Sequence, residues 1–164
     1  MHDEEFKIVG AEDAASFLQS PMFTSLRDCN EHCTRASRIP LPSYRKSIRN
    51  SFKDGEISFV AMMVARSNNR VVASCQVMTD PWNTYIIESV CVRSDHRGAG
   101  LCKKLISSVC THLLDTAGAR RVRIYTYTNL PAACACYKSV FGAPVNITPI
   151  FHAFEMTRQR KNVR

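Results

Sequence analysis

At 164 residues and 18.5 kDa, with 45% hydrophobic and 22% charged side chains, the chain has the size of one domain with its own core, which excludes disordered, collagen-like and coiled-coil architectures. Its net charge of +8 is unevenly spread: residues 1–92 carry 10 Lys/Arg against 11 Asp/Glu, and residues 93–164 carry 12 against 3. The basic second half implies an anionic partner, for which nucleic acid, a phosphorylated cofactor and an acidic acceptor are the candidates.

The acidic start, Met1-His2-Asp3-Glu4-Glu5, lacks the basic residues and apolar run of a leader, so a cytoplasmic protein is expected. Phe6–Val9 reads as a short strand, and Glu12–Gln19 as a helix from the spacing of Ala14, Ala15 and Leu18. Ser20–Pro42 holds three prolines and mixed polarity. It is consistent with a helix and an irregular crossing, with a second helix following at about Tyr44–Phe52. Ile57–Ala65, Val71–Met78 and Tyr85–Val92 read as three strands of an antiparallel meander, broken by the polar turns Ser67–Arg70 and Asp80–Asn83. The longest apolar stretch, Phe59–Ala65, is far short of the roughly 20 residues of a membrane helix, so no membrane partner is expected.

After the loop at 93–100 comes the clearest helix. Leu101, Cys102, Leu105, Ile106, Val109, Cys110, Leu113 and Leu114 form one apolar stripe, and Gly118 supplies the C-cap. Arg121–Thr126 is a strand. Asn129 can cap a further helix ending near Phe141-Gly142, and Val145–Ile147 and Phe151–Met156 close the sheet. The pattern gives one α/β domain over residues 1–164: a mixed, mostly antiparallel central sheet of six to seven strands with about four helices, and a basic tail from about 157. Strands 85–92 and 121–126, joined through a helix, run parallel, which puts the 93–100 loop at a strand's carboxyl end.

The eight cysteines lie mostly in apolar runs, and reduced core thiols are expected. Cys29-Asn30-Glu31-His32-Cys33 has a spacing that invites metal, yet no second pair accompanies it, so no metal is expected. Cys134 and Cys136, two apart on a helix, face different ways and do not suit a disulfide with each other.

Asp95-His96-Arg97-Gly98-Ala99-Gly100 joins the third meander strand to the amphipathic helix. Its two glycines let successive N–H groups face one concavity, and the helix behind adds its positive end, so the loop suits a phosphate or pyrophosphate. It is neither a dinucleotide fingerprint nor a P-loop, since Lys103 stands where a third glycine would fall and no Gly-Lys-Ser/Thr follows.

The block Val90-Cys91-Val92 through Arg97-Gly98-Ala99-Gly100-Leu101-Cys102 to Ile106 closely resembles the acetyl-CoA motif of the GCN5-related N-acetyltransferase (GNAT) superfamily, Arg/Gln-x-x-Gly-x-Gly/Ala. Arg97 and Gly100 match; Cys102 departs from the final Gly/Ala. Asn129, Ala132 or Ala133, Tyr137 and Phe141-Gly142 resemble its second signature, one residue long and with the Gly-Phe order reversed. The resemblance implies an acyl-CoA N-acyltransferase fold and an acetyltransferase that moves an acetyl group from acetyl-CoA to a primary amine by direct attack in a ternary complex. It also implies a cofactor slot where strand 85–92 splays from strand 121–126. Pantetheine would meet backbone of Val90, Cys91 and Val92, pyrophosphate would meet N–H groups of Arg97, Gly98, Ala99, Gly100, Leu101 and Cys102, and Asn129 would join the cofactor site.

An attacking amine must lose a proton, and Glu88, alone among apolar neighbours in its strand, is the candidate base. Strict alternation puts it on the face of Val90 and Val92; the structural alternative is an ion pair with Arg121 or Arg123. Tyr137 fits the family's general-acid position, with a core aromatic as the alternative, and a backbone N–H near Val90 would meet the oxyanion. His96 and His112 read as surface polar residues, and Cys91 lacks the basic neighbour of a covalent nucleophile. Ile87–Val92 looks like the matching strand of glucosamine-6-phosphate acetyltransferases and of some protein N-terminal acetyltransferases. The expected acceptor is therefore a small anionic amine, such as an amino-sugar phosphate, read by Arg45, Arg49, Arg93 or Arg158. A protein or peptide acceptor and an inactive CoA-binding module are the alternatives, and polyamines and nucleic acid are disfavoured. A homodimer stays open.

Overall fold

The computed structural model describes residues 3–31, 33 and 39–158. The basic tail beyond Arg158 and His32 of the Cys29–Cys33 motif lie outside the described residues. Seven strands, β1 (Glu4–Gly10), β2 (Phe59–Ala65), β3 (Arg70–Thr79), β4 (Thr84–Val92), β5 (Arg121–Tyr127), β6 (Asn146–Ile147) and β7 (Phe151–Thr157), form one sheet in the order β1-β2-β3-β4-β5-β7-β6. Every pairing is antiparallel except β4 with β5, as the helical crossover requires. β6 is a two-residue edge strand outside β7, so β7 and not β6 meets β5.

The helices are α1 (Ala14–Phe17), α2 (Pro21–Glu31), α3 (Leu41–Lys53), α4 (Leu101–Thr111) and α5 (Pro131–Phe141). The first expected helix is a 3₁₀ turn at Ala11–Asp13 followed by the single turn of α1. Leu113 and Leu114 fall in a π-helical turn, His112–Thr116, which Gly118 ends with φ +70. Asn129 does not cap α5: Leu130 is the N-cap residue, and no side chain caps it. With Pro131 at the first position, one of the helix's orphan N–H groups is already gone.

β2 shows why its sequence is apolar without alternation. Phe59, Ala61 and Met63 pack with α4 and α5, while Val60, Met62 and Val64 pack with α1, α2 and α3. Two cores therefore sandwich a central strand buried on both faces.

The expectation of reduced thiols holds for buried Cys29, Cys75 and Cys110 but fails for Cys91 and Cys102. Cys91 is bonded to Cys33 and Cys102 to Cys136, across 58 and 34 residues. The fold brings each pair within disulfide reach, at Cα separations of 5.7 and 6.5 Å, whereas local spacing says nothing about partners so distant in sequence. Cys33, once the end of a metal-like spacing, is thus consumed by Cys91. No group of three or more metal-ligating side chains occurs among the described residues, and no helix of the described residues is long and apolar enough to cross a membrane.

Candidate active site

The site begins with a fault in β4. Gln76 pairs with Glu88 and Ser74 with Cys91, so β3 advances two residues while β4 advances three. The extra residue is taken up at Ser89, whose φ is +52. A non-glycine residue in this region costs roughly 1–2 kcal/mol, and a bulge turns the side chains beyond it to the other face. The expected alternation of Glu88 with Val90 and Val92 therefore breaks: Glu88 pairs on the same face as Cys91.

Beyond the fault β4 leaves β5. The two pair only from Thr84–Ile87 with Arg121–Ile124. The gap that opens is a cleft of about 540 Å³ lined by Glu88, Ser89 and Val90 on one side and Thr126, Tyr127, Leu130 and Tyr137 on the other. Ser89 and Val90 also line a second cleft of about 320 Å³, walled by Arg27, Asn30 and Glu31 of α2, Tyr44 of α3, Gln76, and both Cys33 and Cys91. The bulge thus stands between two cavities on opposite sides of one strand.

Glu88 is exposed and has no ion pair or hydrogen bond among the described residues; Arg123 instead pairs with Glu155. The structural alternative for Glu88 is thereby removed. Tyr137 is 5% exposed, packs edge-on against Phe154, and lines the larger cleft. Burial pushes its phenol up to about 12, so it holds its proton throughout the neutral range. His112 packs edge-on against Phe59. Asn129 is exposed and does not line the cleft, unlike its neighbours Tyr127 and Leu130.

The 93–100 loop is built on a residue that sequence reasoning placed at the surface. Arg93 is 6% exposed and donates through Nε and Nη2 to the two carboxylate oxygens of Asp95, at 3.0 and 3.3 Å. That hydrogen bond, with a second from His96, holds the Asp95 carboxyl well below the usual carboxylate range. Arg93 N–H donates to Val72 O, and Arg97 Nε to Val92 O, so the loop is tied to β3 and β4. Gly98 and Gly100 adopt φ +80 and +75, a region closed to most side chains. Gly100 leads into α4 with no side-chain cap, so among the described residues no capping side chain competes for the helix's first N–H groups, as an anion site requires.

Ser74, Asn30 and Tyr44 form a polar chain beside the smaller cleft. Ser74 Oγ donates to Asn30 Oδ1 at 2.9 Å, and Asn30 Nδ2 donates to Tyr44 Oη at 2.6 Å. Sequence reasoning missed this chain because its members lie 14 and 44 residues apart. None of the four arginines expected to read an anionic acceptor lines either cleft. Arg45 donates to Leu18 O and lies over Phe23, Arg49 lines a separate hollow with Lys53, Arg93 is held by Asp95, and Arg158 is exposed beyond β7.

A model of the acetyltransferase (GNAT) family matches residues 22–143. No curated protein sequence matches the chain. Among solved structures, the chain is similar to a spermidine N-acetyltransferase from Vibrio cholerae in complex with CoA and spermine, at TM-score 0.66 and 7% identity, over 95% of this chain and 96% of that one. It is also similar to a ribosomal-protein-S5-alanine acetyltransferase from Vibrio fischeri, at TM-score 0.67 and 8% identity, over 96% and 94%. At such identities the likeness is one of fold.

Proposed function

The chain belongs to the acetyltransferase (GNAT) family and is an N-acetyltransferase using acetyl-CoA; from that premise we propose that the two clefts meeting at Ser89–Val90 hold the acetyl donor and the amine acceptor on opposite sides of β4. Acetyl-CoA supplies an activated acyl group as its thioester. The residues present fit it: strands that part where a pantetheine arm needs free backbone, and an uncapped α4 preceded by two left-handed glycines for the pyrophosphate. Val90, Cys91 and Val92 offer backbone along the cleft. The N–H groups of Arg97 to Cys102 offer donors at the start of α4. Cys91 turns its side chain toward the smaller cleft, so its share is backbone alone. Asn129 keeps only an outer position.

Glu88 takes the proton of the acceptor's ammonium group, directly or through water. Having no ion partner among the described residues, it is available as a base. Tyr137 carries the proton that the departing thiolate accepts, and its raised pKa keeps that proton in place. The Val90 N–H, at the bulge, meets the developing oxyanion.

For the acceptor, the lining of the smaller cleft supports a small primary amine without a phosphate. Among the described residues its one arginine, Arg27, bonds Asp28 and lies 3.7 Å from Glu31, which lines the same cleft. The observation that carries the proposal is the pair of clefts sharing Ser89 and Val90. It is tested by following CoA release from acetyl-CoA across polyamines, amino sugars, amino-sugar phosphates, aminoglycosides and acidic or basic peptides. Polyamines or unphosphorylated amino sugars are expected to give the highest kcat/KM. A response confined to phosphorylated acceptors overturns the acceptor assignment, and no response to any amine overturns the site.

A further inference from the structure

The Cys33–Cys91 disulfide is not used by the transfer reaction, yet it lies at its centre. Both cysteines line the smaller cleft, and Cys91 directly follows the bulge residues Ser89 and Val90 that the two clefts share. The transfer reaction releases a thiol on the other side of that same bulge. We infer that the Cys33–Cys91 disulfide is a thiol-exchange site at which free CoA, the product of the reaction, becomes covalently attached to Cys33 and closes the acceptor cleft. The inference rests on the reading that CoA occupies the larger cleft.

The two sulfurs are unequal. Cys33 is exposed, with its Sγ 3.9 Å from Arg97 Nη2, whereas Cys91 is 3% exposed. An incoming thiolate therefore reaches Cys33, and the guanidinium of Arg97 favours negative charge beside it. Cys91 is the leaving sulfur, and a hydrogen-bond acceptor is in place for it: its Sγ lies 3.0 Å from the Cys29 carbonyl oxygen. Once protonated, the Cys91 thiol can donate there. The exchange balances without an external oxidant. The CoA sulfur forms a bond to Cys33 Sγ, the Cys33–Cys91 bond breaks, and the proton given up by the CoA thiol ends on Cys91. A thiol delivered by a bound nucleotide reacts at a higher effective concentration than one arriving from solution. The second disulfide, Cys102–Cys136, lines neither cleft.

The test uses the full chain with its disulfides intact, freed of oxygen and incubated with CoA or with an equal concentration of glutathione. Intact mass under non-reducing conditions is expected to rise by one CoA, with the adduct on the Cys33 peptide and removed by a dithiol. CoA is expected to label about tenfold faster than glutathione or more. Cys33→Ser abolishes the adduct, and Cys134→Ser, which removes the part-buried free thiol, leaves it unchanged. A thiol-free CoA analogue, whose binding is followed by calorimetry, separates the two layers of the reading. If the analogue binds and CoA forms no adduct, or labels no faster than glutathione, the exchange site is overturned while the CoA cleft stands. If the analogue does not bind and no adduct forms, both are overturned.

Discussion

Glu88 and Tyr137 approach the same cleft from different elements and are prepared by opposite means. Glu88 is exposed and unpaired among the described residues; Tyr137 is buried, and burial lifts its phenol to about 12. Glu88→Gln keeps the side-chain volume and removes the base, so kcat is expected to fall roughly 10²- to 10⁴-fold while acetyl-CoA affinity is unchanged. Equal activity in the variant would exclude Glu88. Tyr137→Phe is expected to lower kcat with little change in melting temperature, because it removes one hydroxyl and keeps the ring packed edge-on against Phe154. The direction of its shift also sets a pH dependence. A folded-state pKa above the ordinary value near 10 keeps the phenol protonated beyond pH 10, so the wild-type profile of kcat should show no fall from this group between pH 8 and about 10. The same sign makes its contribution to stability complete below the unfolded pKa and lost as pH rises through the folded one. An alkaline limb near pH 9 that vanishes in Tyr137→Phe would contradict the raised pKa while keeping Tyr137 in the reaction.

At the scale of elements, the bulge in β4 opens the site and the loop before α4 equips it. Ser89 is held at φ +52 only because the strands on either side fix it. Ser89→Gly relieves that strain and is expected to raise stability by up to about 1 kcal/mol with the clefts kept. Ser89→Val, branched at Cβ, is expected to lower both stability and activity. If both variants melt alike, the bulge is not strained. The loop depends on the Arg93–Asp95 pair, so Asp95→Asn is expected to weaken CoA binding severalfold without touching the ligand. Isothermal calorimetry on folded variant protein checks this.

These two elements also divide what the sequence reveals from what it hides. The apolar runs of β2, β3 and β4 and the stripe on α4 carry local periodicity, so their positions are legible to within a residue or two. The loop glycines are legible because φ above zero selects glycine. The bulge is not, because Ser89 has no such preference and the extra residue exists only relative to β3. Arg93 reads as a surface charge because its burial depends on Asp95 and Val72, contacts that follow from the fold. The disulfide partners and the chain from Ser74 to Tyr44 are hidden for the same reason.

Across the whole molecule, one continuous sheet separates two apolar cores and carries both clefts through its midline, where β4 and β5 diverge. The second half, which holds the excess positive charge, contains the loop and helix proposed for the pyrophosphate. The two disulfides tie α4 to α5 and the region after α2 to β4. The most direct test of this arrangement is titration calorimetry of a thiol-free CoA analogue into the wild-type chain and into Gly100→Trp. A Cβ at Gly100 meets no atom within 4 Å, so the variant should stay folded, with a loss of about 1–2 kcal/mol from its φ of +75. We predict one-to-one binding to the wild type and none to the folded variant. Unchanged binding in Gly100→Trp, or none in the wild type, would contradict the account.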